Sequence, residues 1–571
     1  MVPDEQIERL HTNFVVKNNH SRSDYFSLIR ELLKIRESDP SAQSAIDQIY
    51  RLIEDEIVTN QGVPVNEINF GTSGWRGILG KDVFLKSVRC VTEAIVDLYR
   101  MADTESDLHQ FLGVSSLEEA RERGCLVGWD NRFGGEVLGQ CVTDTLREHG
   151  FKVYYCGETT TGVLSAALLE LQAAFSVNLT PSHNPLDYGG YKFNAADGGP
   201  AASELTAIIT QKSRARINAH SEVEEGHTKP RGALVETDSF ALWQRLVDKN
   251  KGTHRLDYRS LLDQVGAHRD MDIVIDSVHG ASRLHIKRLL GPAAINLEHL
   301  RGESDVTFGG IAPEPSSENM SRVTQRLRDS RKKLKIGAII DPDADRIRFT
   351  DGDMEISMNQ FGAMSYHYLH EYKNLTGMVA KTVATSNLAN SVAVTLGEEL
   401  FETKVGFKEF KPVIGQALVY FEESDGISVI GHTPEKDAYI GLLLALDMVV
   451  STGKNLGEIK AEMDELYGEF YPDRDGVAVS LKGEPLLAAL AKLKKYDVGT
   501  SVTIGGKKKI IKEIITKDGR KMIFEDDSWL MVRPSGTEPK VRFYVESRDS
   551  DGTAHLVDAA RSMLAEVGLL D

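Results

Sequence analysis

Cysteine is scarce in this chain of 571 residues: there are four, Cys90, Cys125, Cys141 and Cys156, with no CxxC spacing, and all fall in one quarter of the sequence. That argues against a paired-thiol metal or redox motif and predicts buried, reduced thiols. Long apolar runs are lacking too. The longest, Ala438 to Leu446, ends at Asp447 and falls far short of the ~18 residues a spanning helix requires, so no membrane partner is expected. The opening Met-Val-Pro-Asp-Glu has neither a basic nor an apolar leader region, and the expected location is cytoplasmic. An excess of basic residues is missing as well. The formal net charge of −18 argues against a nucleic-acid partner and makes local Arg and Lys clusters more telling. With 41% hydrophobic and 27% charged residues, the composition is that of a globular protein able to build several cores. At ~100–200 residues per domain the length predicts about three to five of them.

What is present is a repeating alternation of strand and helix. Residues 1–66 read as polar helices, with Phe26, Ile29, Leu32 and Leu33 at helical spacing, packed on the unit that follows. From Asn69 the pattern is βαβαβ: strand Cys125–Trp129, helix Gly135–His149 closed by Gly150, strand Phe151–Cys156, helix Gly162–Leu171 and strand Ala173–Leu179. A second cycle has strand Met271–Asp276, helix Ser282–Leu290 and strand Lys335–Ile340. A third has strand Gly377–Thr382, helices around Asn390–Leu396 and Pro412–Phe421, and helix Ala438–Val450. After about Tyr467 the style becomes α+β: a hairpin turns at Lys517-Asp518-Gly519, strands Trp529–Val532 and Val541–Glu546 follow, and His555–Val567 is the last helix.

Five loops carry chemistry. Gly71 to Gly77 combines glycines, small hydroxyls and Arg76, which lets backbone N–H groups approach an anion. Thr180-Pro181-Ser182-His183-Asn184-Pro185 ends a strand, with Gly189, Gly190 and Lys192 close behind. Neither a G-x-S-x-G elbow nor a Ser-His-Asp order surrounds Ser182, which disfavours a hydrolase triad. Such a serine needs activation, or a phosphoryl group already in place. Asp341-Pro342-Asp343-Ala344-Asp345-Arg346 sets three carboxylates at alternate positions between apolar strand residues. Oxygen ligands of this kind select a hard cation, Mg²⁺ or Ca²⁺. An EF-hand is excluded, because Arg346 and Gly352 occupy the places of its turn glycine and bidentate glutamate. Glu422-Glu423-Ser424-Asp425-Gly426 offers acceptors for sugar hydroxyls, with Thr403 to Lys408 before it and Glu435-Lys436-Asp437 after it. Arg533-Pro534-Ser535-Gly536-Thr537 has the makings of an anion clamp. A nucleotide P-loop is not supported, since Asn455 follows Gly453-Lys454 where Ser or Thr belongs.

Together, in this order, the loops resemble those of the α-D-phosphohexomutase superfamily, over roughly residues 69 to 547, and within it the glucose-phosphate branch. The resemblance implies an α/β fold of four domains around a central cleft: three similar α/β domains with mixed sheets and a C-terminal TATA-binding-protein-like α+β domain. The expected boundaries are a helical extension 1–66 and domains 67–232, 233–352, 353–467 and 468–571. The resemblance also implies a phosphoryl group on Ser182 and one Mg²⁺ held by that phosphoserine, Asp341, Asp343 and Asp345. Arg76 and Arg346 would flank the transferring group, and His183, Lys192 and Lys436 would move protons or stabilise charge. Glu422 and Ser424 would grip the sugar, with Thr403, Gly406 and Lys408 nearby. Arg533, Ser535, Gly536 and Thr537 would hold the non-reacting phosphate. The implied reaction interconverts glucose 1-phosphate and glucose 6-phosphate through glucose 1,6-bisphosphate, in a monomer or homodimer.

Some residues depart from the pattern. Phe421 and Asp425 stand where many relatives carry glycine, and Ala438 stands where glycine usually follows the Glu-Lys-Asp triplet. Gly426 occupies the place of a histidine found in mannose-phosphate users, which favours glucose. Mannose- or pentose-phosphate specificity remains open, as do a catalytically silent scaffold and a phosphatase with Asp341 as nucleophile.

Overall fold

The computed structural model describes residues 3–219, 232–535 and 540–570. Four sheets follow one another along the chain. The first has six strands in the order Trp75–Ile78, Tyr188–Ala195, Phe175–Leu179, Cys125–Trp129, Val153–Glu158 and Leu234–Glu236. The last four of these run parallel, and Tyr188–Ala195 is antiparallel to both of its neighbours. The second has Glu355–Ile356, Ile347–Thr350, Leu334–Ile340, Met271–Asp276 and Leu297–Leu300, and the third has Leu400–Thr403, Val379–Thr382, Val419–Glu422 and Gly426–Val429. The fourth is antiparallel throughout, from Tyr471–Ala478 through Lys540–Ser547 to Ser501–Ile504.

The first three sheets share one device. A buried strand that pairs in parallel on one side leads into a short loop and returns antiparallel on the other: Phe175–Leu179 to Tyr188–Ala195, Leu334–Ile340 to Ile347–Thr350, and Val419–Glu422 to Gly426–Val429. Each loop contains a non-glycine residue in the left-handed region, namely Ser182 (φ 58°), Ala344 (φ 51°) and Asp425 (φ 71°). Such residues cost strain and persist where the surroundings hold them. The Ser182, Asp341 and Glu422 loops thus occupy equivalent places, at the carboxyl ends of parallel strands where α/β sheets bind ligands.

Hydrophobic burial ties the units together. Helices Tyr25–Ile35 and Ser41–Thr59 bury Ile29, Ile46, Ile53 and Ile57 in the same core as Val91, Ile95 and Tyr99 of the first sheet's helices. A second core runs from Val163 and Trp243 through Ile340 and Phe361 to Leu446, so the second and third units share one interior. Helix Ala438–Thr452 is its axis; no single described helix is long and apolar enough to cross a membrane. The fourth unit has its own core around Val532, Phe543 and Leu564.

Three expectations need correction. The segment read as a helix over Pro412–Phe421 is a 3₁₀ turn, Phe407–Val413, followed by strand Val419–Glu422. Pro412, Gly415 at φ 79° and the β-branched or aromatic Val419-Tyr420-Phe421 oppose a continuous helix. The helix read over Ser282–Leu290 is a 3₁₀ turn, Ala281–Leu284, and a short helix, Ile286–Leu290. The cut expected at 232/233 falls before Leu234–Glu236, which pairs with Val153–Tyr155 and extends the first sheet.

Candidate active site

Ser182 is buried at the floor of the cleft between the units. Its amide donates to Thr180 Oγ1 at 2.8 Å, and its hydroxyl donates to Asp341 Oδ2 at 2.8 Å and lies 3.3 Å from His183 Nδ1. Arg132 fixes the loop from behind. Its guanidinium donates to the carbonyls of Ser182 (2.7 Å), Pro185 (2.6 Å) and Asn184, and it stacks over the Phe308 ring. Asp130 pairs with Arg132 at 3.5 Å and accepts from Thr180 Oγ1 at 2.6 Å; burial raises its pKa to about 6.

Asp341, Asp343 and Asp345 are all buried, with oxygens within 4.8 Å of one another. The loop is wound tightly enough that Asp341 Oδ1 accepts from the amides of Asp345 (3.1 Å) and Arg346 (3.0 Å). Lys192 donates to Asp343 Oδ2 at 2.5 Å and Asp345 Oδ2 at 2.7 Å, and Thr161 donates to Asp343 Oδ2 at 2.5 Å. Lys436 lies 3.2 Å from Asp345 and 3.5 Å from Glu422. Burial and the neighbouring Asp343 and Asp345 drive Asp341 well above the usual carboxylate range. For Asp345, burial acts upward, but Lys192, Lys436 and Arg346 outweigh it and hold the group well below that range.

Two oxygens, Asp343 Oδ1 and Asp345 Oδ1, are buried without a hydrogen-bond partner. Buried carboxylate oxygens left bare are costly. An all-oxygen set with open lone pairs fits a hard divalent cation.

Around this floor the cleft, about 860 Å³ counting the solvent open to it, is lined by Arg76, His183, Arg346, Gly406, Glu422, Ser424, Lys436, Arg533 and Ser535, among others. Burial, then the nearby Arg346, lowers Arg76 to about 10, so it remains a cation at neutral pH. Burial, then Arg346 and Arg76, pushes His183 well below its ordinary value and leaves its ring neutral. Ser424 donates to Glu422 at 2.8 Å. A Cβ on Gly426 would lie 2.2 Å from Lys436 Cδ, so a larger residue there would displace this lysine.

The structure brings Ser182, His183, Lys192, the three aspartates, Arg346, Lys436, Glu422 and Ser424 together, with Arg533 and Ser535 lining the same cleft. Two residues proposed from the sequence lie elsewhere. Thr403 is not among the lining residues; its carbonyl accepts from the Val383 amide. Lys408 donates to Ser203 Oγ at 2.7 Å on the surface. Gly536 and Thr537 fall outside the described residues. The sequence reading missed Thr161, Asp130 and Arg132, as well as Arg542 and Tyr544 on the cleft wall. Asp130-Asn131-Arg132, a polar triplet at the end of a buried strand, was the available signal.

Comparison with known proteins agrees with this geometry. Phosphoglucomutase/phosphomannomutase family models match in order: alpha/beta/alpha domain I over residues 67–219, domain II over 257–354, domain III over 357–467, and the C-terminal domain over 477–562. A phosphoglucomutase of Komagataeibacter xylinus is 28% identical, covering 90% of this chain and 92% of the relative. A phosphoglucomutase/phosphomannomutase of Thermococcus kodakarensis is 25% identical over 87% of this chain and 98% of its own. Among solved structures, the open form of the Paramecium phosphoglucomutase parafusin superposes with a TM-score of 0.66 at 20% identity, over 89% of this chain and 98% of that one. Four domain matches in order, three equivalent hairpin loops and one cleft between them make this chain a member of the phosphoglucomutase/phosphomannomutase family.

Proposed function

We propose that the chain is a phosphoglucomutase that interconverts glucose 1-phosphate and glucose 6-phosphate through a phosphoserine at Ser182 and glucose 1,6-bisphosphate. The observation carrying this reading is the 2.8 Å contact between Ser182 Oγ and the Asp341 carboxylate inside a cation-lined cleft. Asp341, Asp343 and Asp345, with an oxygen of the phosphorylated Ser182, would hold one Mg²⁺. When bound, that cation neutralises charge on the phosphoryl oxygens. Arg76 and Arg346 face the same group, as phosphoryl transfer requires positioning and charge stabilisation more than covalent chemistry. His183 Nδ1 lies 3.3 Å from the Ser182 hydroxyl and is placed to hydrogen-bond the sugar hydroxyl that attacks there. Lys192 is held between Asp343 and Asp345 and serves charge balance. Glu422 and Ser424 accept from or donate to sugar hydroxyls, while Arg533 and Ser535, continued by Gly536 and Thr537, anchor the phosphate that does not react. Gly406 lines the sugar side of the cleft, while Thr403 and Lys408 stay outside it.

Glucose is preferred to mannose on one local ground: Gly426 leaves Lys436 its place, where a histidine would displace it. Intact-mass measurement after incubation with glucose 1,6-bisphosphate and Mg²⁺ should show one phosphate, lost in Ser182→Ala together with all turnover. Paired assays with glucose 1-phosphate and mannose 1-phosphate decide the sugar. Faster turnover of the mannose ester would replace the glucose reading, and a Ser182→Ala variant that kept most of its activity would refute the phosphoserine.

A further inference from the structure

The third hairpin loop has an element the reaction does not explain. Asp425 adopts φ 71°, a conformation that suits glycine, and its side chain is only 1% exposed. A residue in that position is held by its contacts. Its carboxylate is gripped from the second unit by Arg348, with Nη2 at 2.8 Å and Nε at 3.3 Å, and its carbonyl accepts from the Ile347 amide at 2.9 Å. The same carboxylate faces Arg474 of the fourth unit, with Nη2 at 3.7 Å. Arg474 lies on Tyr471–Ala478, the first strand after the third unit ends, and lines the cleft mouth beside His183, Arg346 and Ser424.

The two halves of this junction differ in kind. Arg348 keeps only 14% of its side chain exposed and is two-pronged, and Glu355 holds it from the other side at 2.9 Å. Arg474 keeps 36% of its side chain exposed and makes one long contact. Paired buried groups are hard to break, whereas a long, partly exposed ion pair makes and breaks easily. One carboxylate therefore joins a permanent anchor to a releasable one, directly beside the sugar-binding Ser424.

We propose that Asp425 and Arg474 form a latch that holds the fourth unit over the sugar loop while the bisphosphate turns over in the cleft. Both act as positioning residues: Arg348 sets Asp425, and Asp425 receives Arg474 on closure. The proposal rests on the mutase reading, because only a reaction with a free bisphosphate inside the cleft needs the fourth unit to stay shut between two transfers.

The test uses the full chain with Mg²⁺ and measures how much glucose 1,6-bisphosphate escapes per turnover. It also measures how strongly activity depends on added bisphosphate. Arg474→Ala should raise escape up to about fivefold, the scale of a partly exposed ion pair, and increase the dependence on added bisphosphate. Arg474→Lys should restore most of the retention, and Asp425→Asn should resemble Arg474→Ala. Small-angle scattering with glucose 1-phosphate bound should give a larger radius for Arg474→Ala than for the unchanged chain. Wild-type retention in Arg474→Ala, in a chain that turns over normally, would overturn the latch. If the unchanged chain showed no mutase turnover at all, the functional reading would fail by itself. Scattering would still decide the latch in that case, and equal radii would refute it.

Discussion

The Ser182 hydroxyl donates to Asp341 at 2.8 Å across 159 positions of sequence. Two hairpin loops from different sheets meet there, and each is locked by its own framework. Arg132 holds the serine loop by three carbonyls, and Asp341 holds its own loop by two amides. The contact is therefore a product of the packing of two units and not of one loop's flexibility.

Arg132 is the residue on which the serine's placement turns. Arg132→Ala should lower kcat by about a hundredfold or more, the scale on which small misplacements of reacting groups act. Arg132→Lys should recover little, since one ammonium cannot bond three diverging carbonyls. Steady-state kinetics with Ser182 phosphorylation checked by mass would test this; near-normal kcat in either variant would contradict it.

Lys192 offsets two buried carboxylates at once. Lys192→Met should lower stability by about 3–5 kcal/mol in chelator, the cost of leaving buried charge unpaired. Mg²⁺ should recover a larger share of the thermal midpoint in the variant than in the unchanged chain. Equal Mg²⁺ shifts in both proteins would argue against a cation site at these aspartates.

The interface of the third and fourth units gives a pH dependence. Lys521 is buried over the Trp529 ring at 3.9 Å and donates to the Val383 carbonyl at 2.9 Å. Burial, then Lys381, lowers its pKa from 10.5 to about 7. The unfolded chain thus binds more protons between pH 7 and 10.5, and stability rises with pH across that window. The contribution is fully present above 10.5 and lost as pH falls through 7; it is on the order of 5 kcal/mol at most. Lys521→Met should flatten the thermal midpoint's rise between pH 7 and 10. An unchanged slope would refute the assignment.

Phe421, one of the departures noted in the sequence, is accommodated by Gly362 on helix Met358–Glu371. A Cβ on Gly362 would lie 2.1 Å from the Phe421 ring. Gly362→Ala should destabilise by about 1–3 kcal/mol despite the better helix propensity of alanine. Phe421→Leu in the same background should relieve part of that loss. A stabilised Gly362→Ala, read by denaturant unfolding, would show that the ring can move aside.

Much of this was legible because it is local. The aspartate trio, the serine loop and the sugar loop are contiguous strings at strand ends, and strands such as Cys125–Trp129 and Met271–Asp276 follow from apolar runs. What the sequence hid is what long-range packing decides. Thr161 begins a helix with an ordinary N-terminal threonine, yet its hydroxyl and amide both reach Asp343. Arg474 stands among alternating charges in a strand and acquires a role only when the fourth unit lies over the third. The strand Val419–Glu422 read as helix because Pro412–Phe421 carries no period that separates the two, and its parallel pairing with Val379–Lys381 settles the matter.

The continuous interior joining the second and third units, against the separate core of the fourth, determines where this molecule can bend. Rotating the third unit would shear dozens of interlocked side chains, whereas swinging the fourth breaks a small apolar seam around Val383, Trp529 and Tyr544. The first three units thus behave as a fixed bed carrying Ser182, the three aspartates and Glu422, and access to the cleft turns on the fourth unit alone.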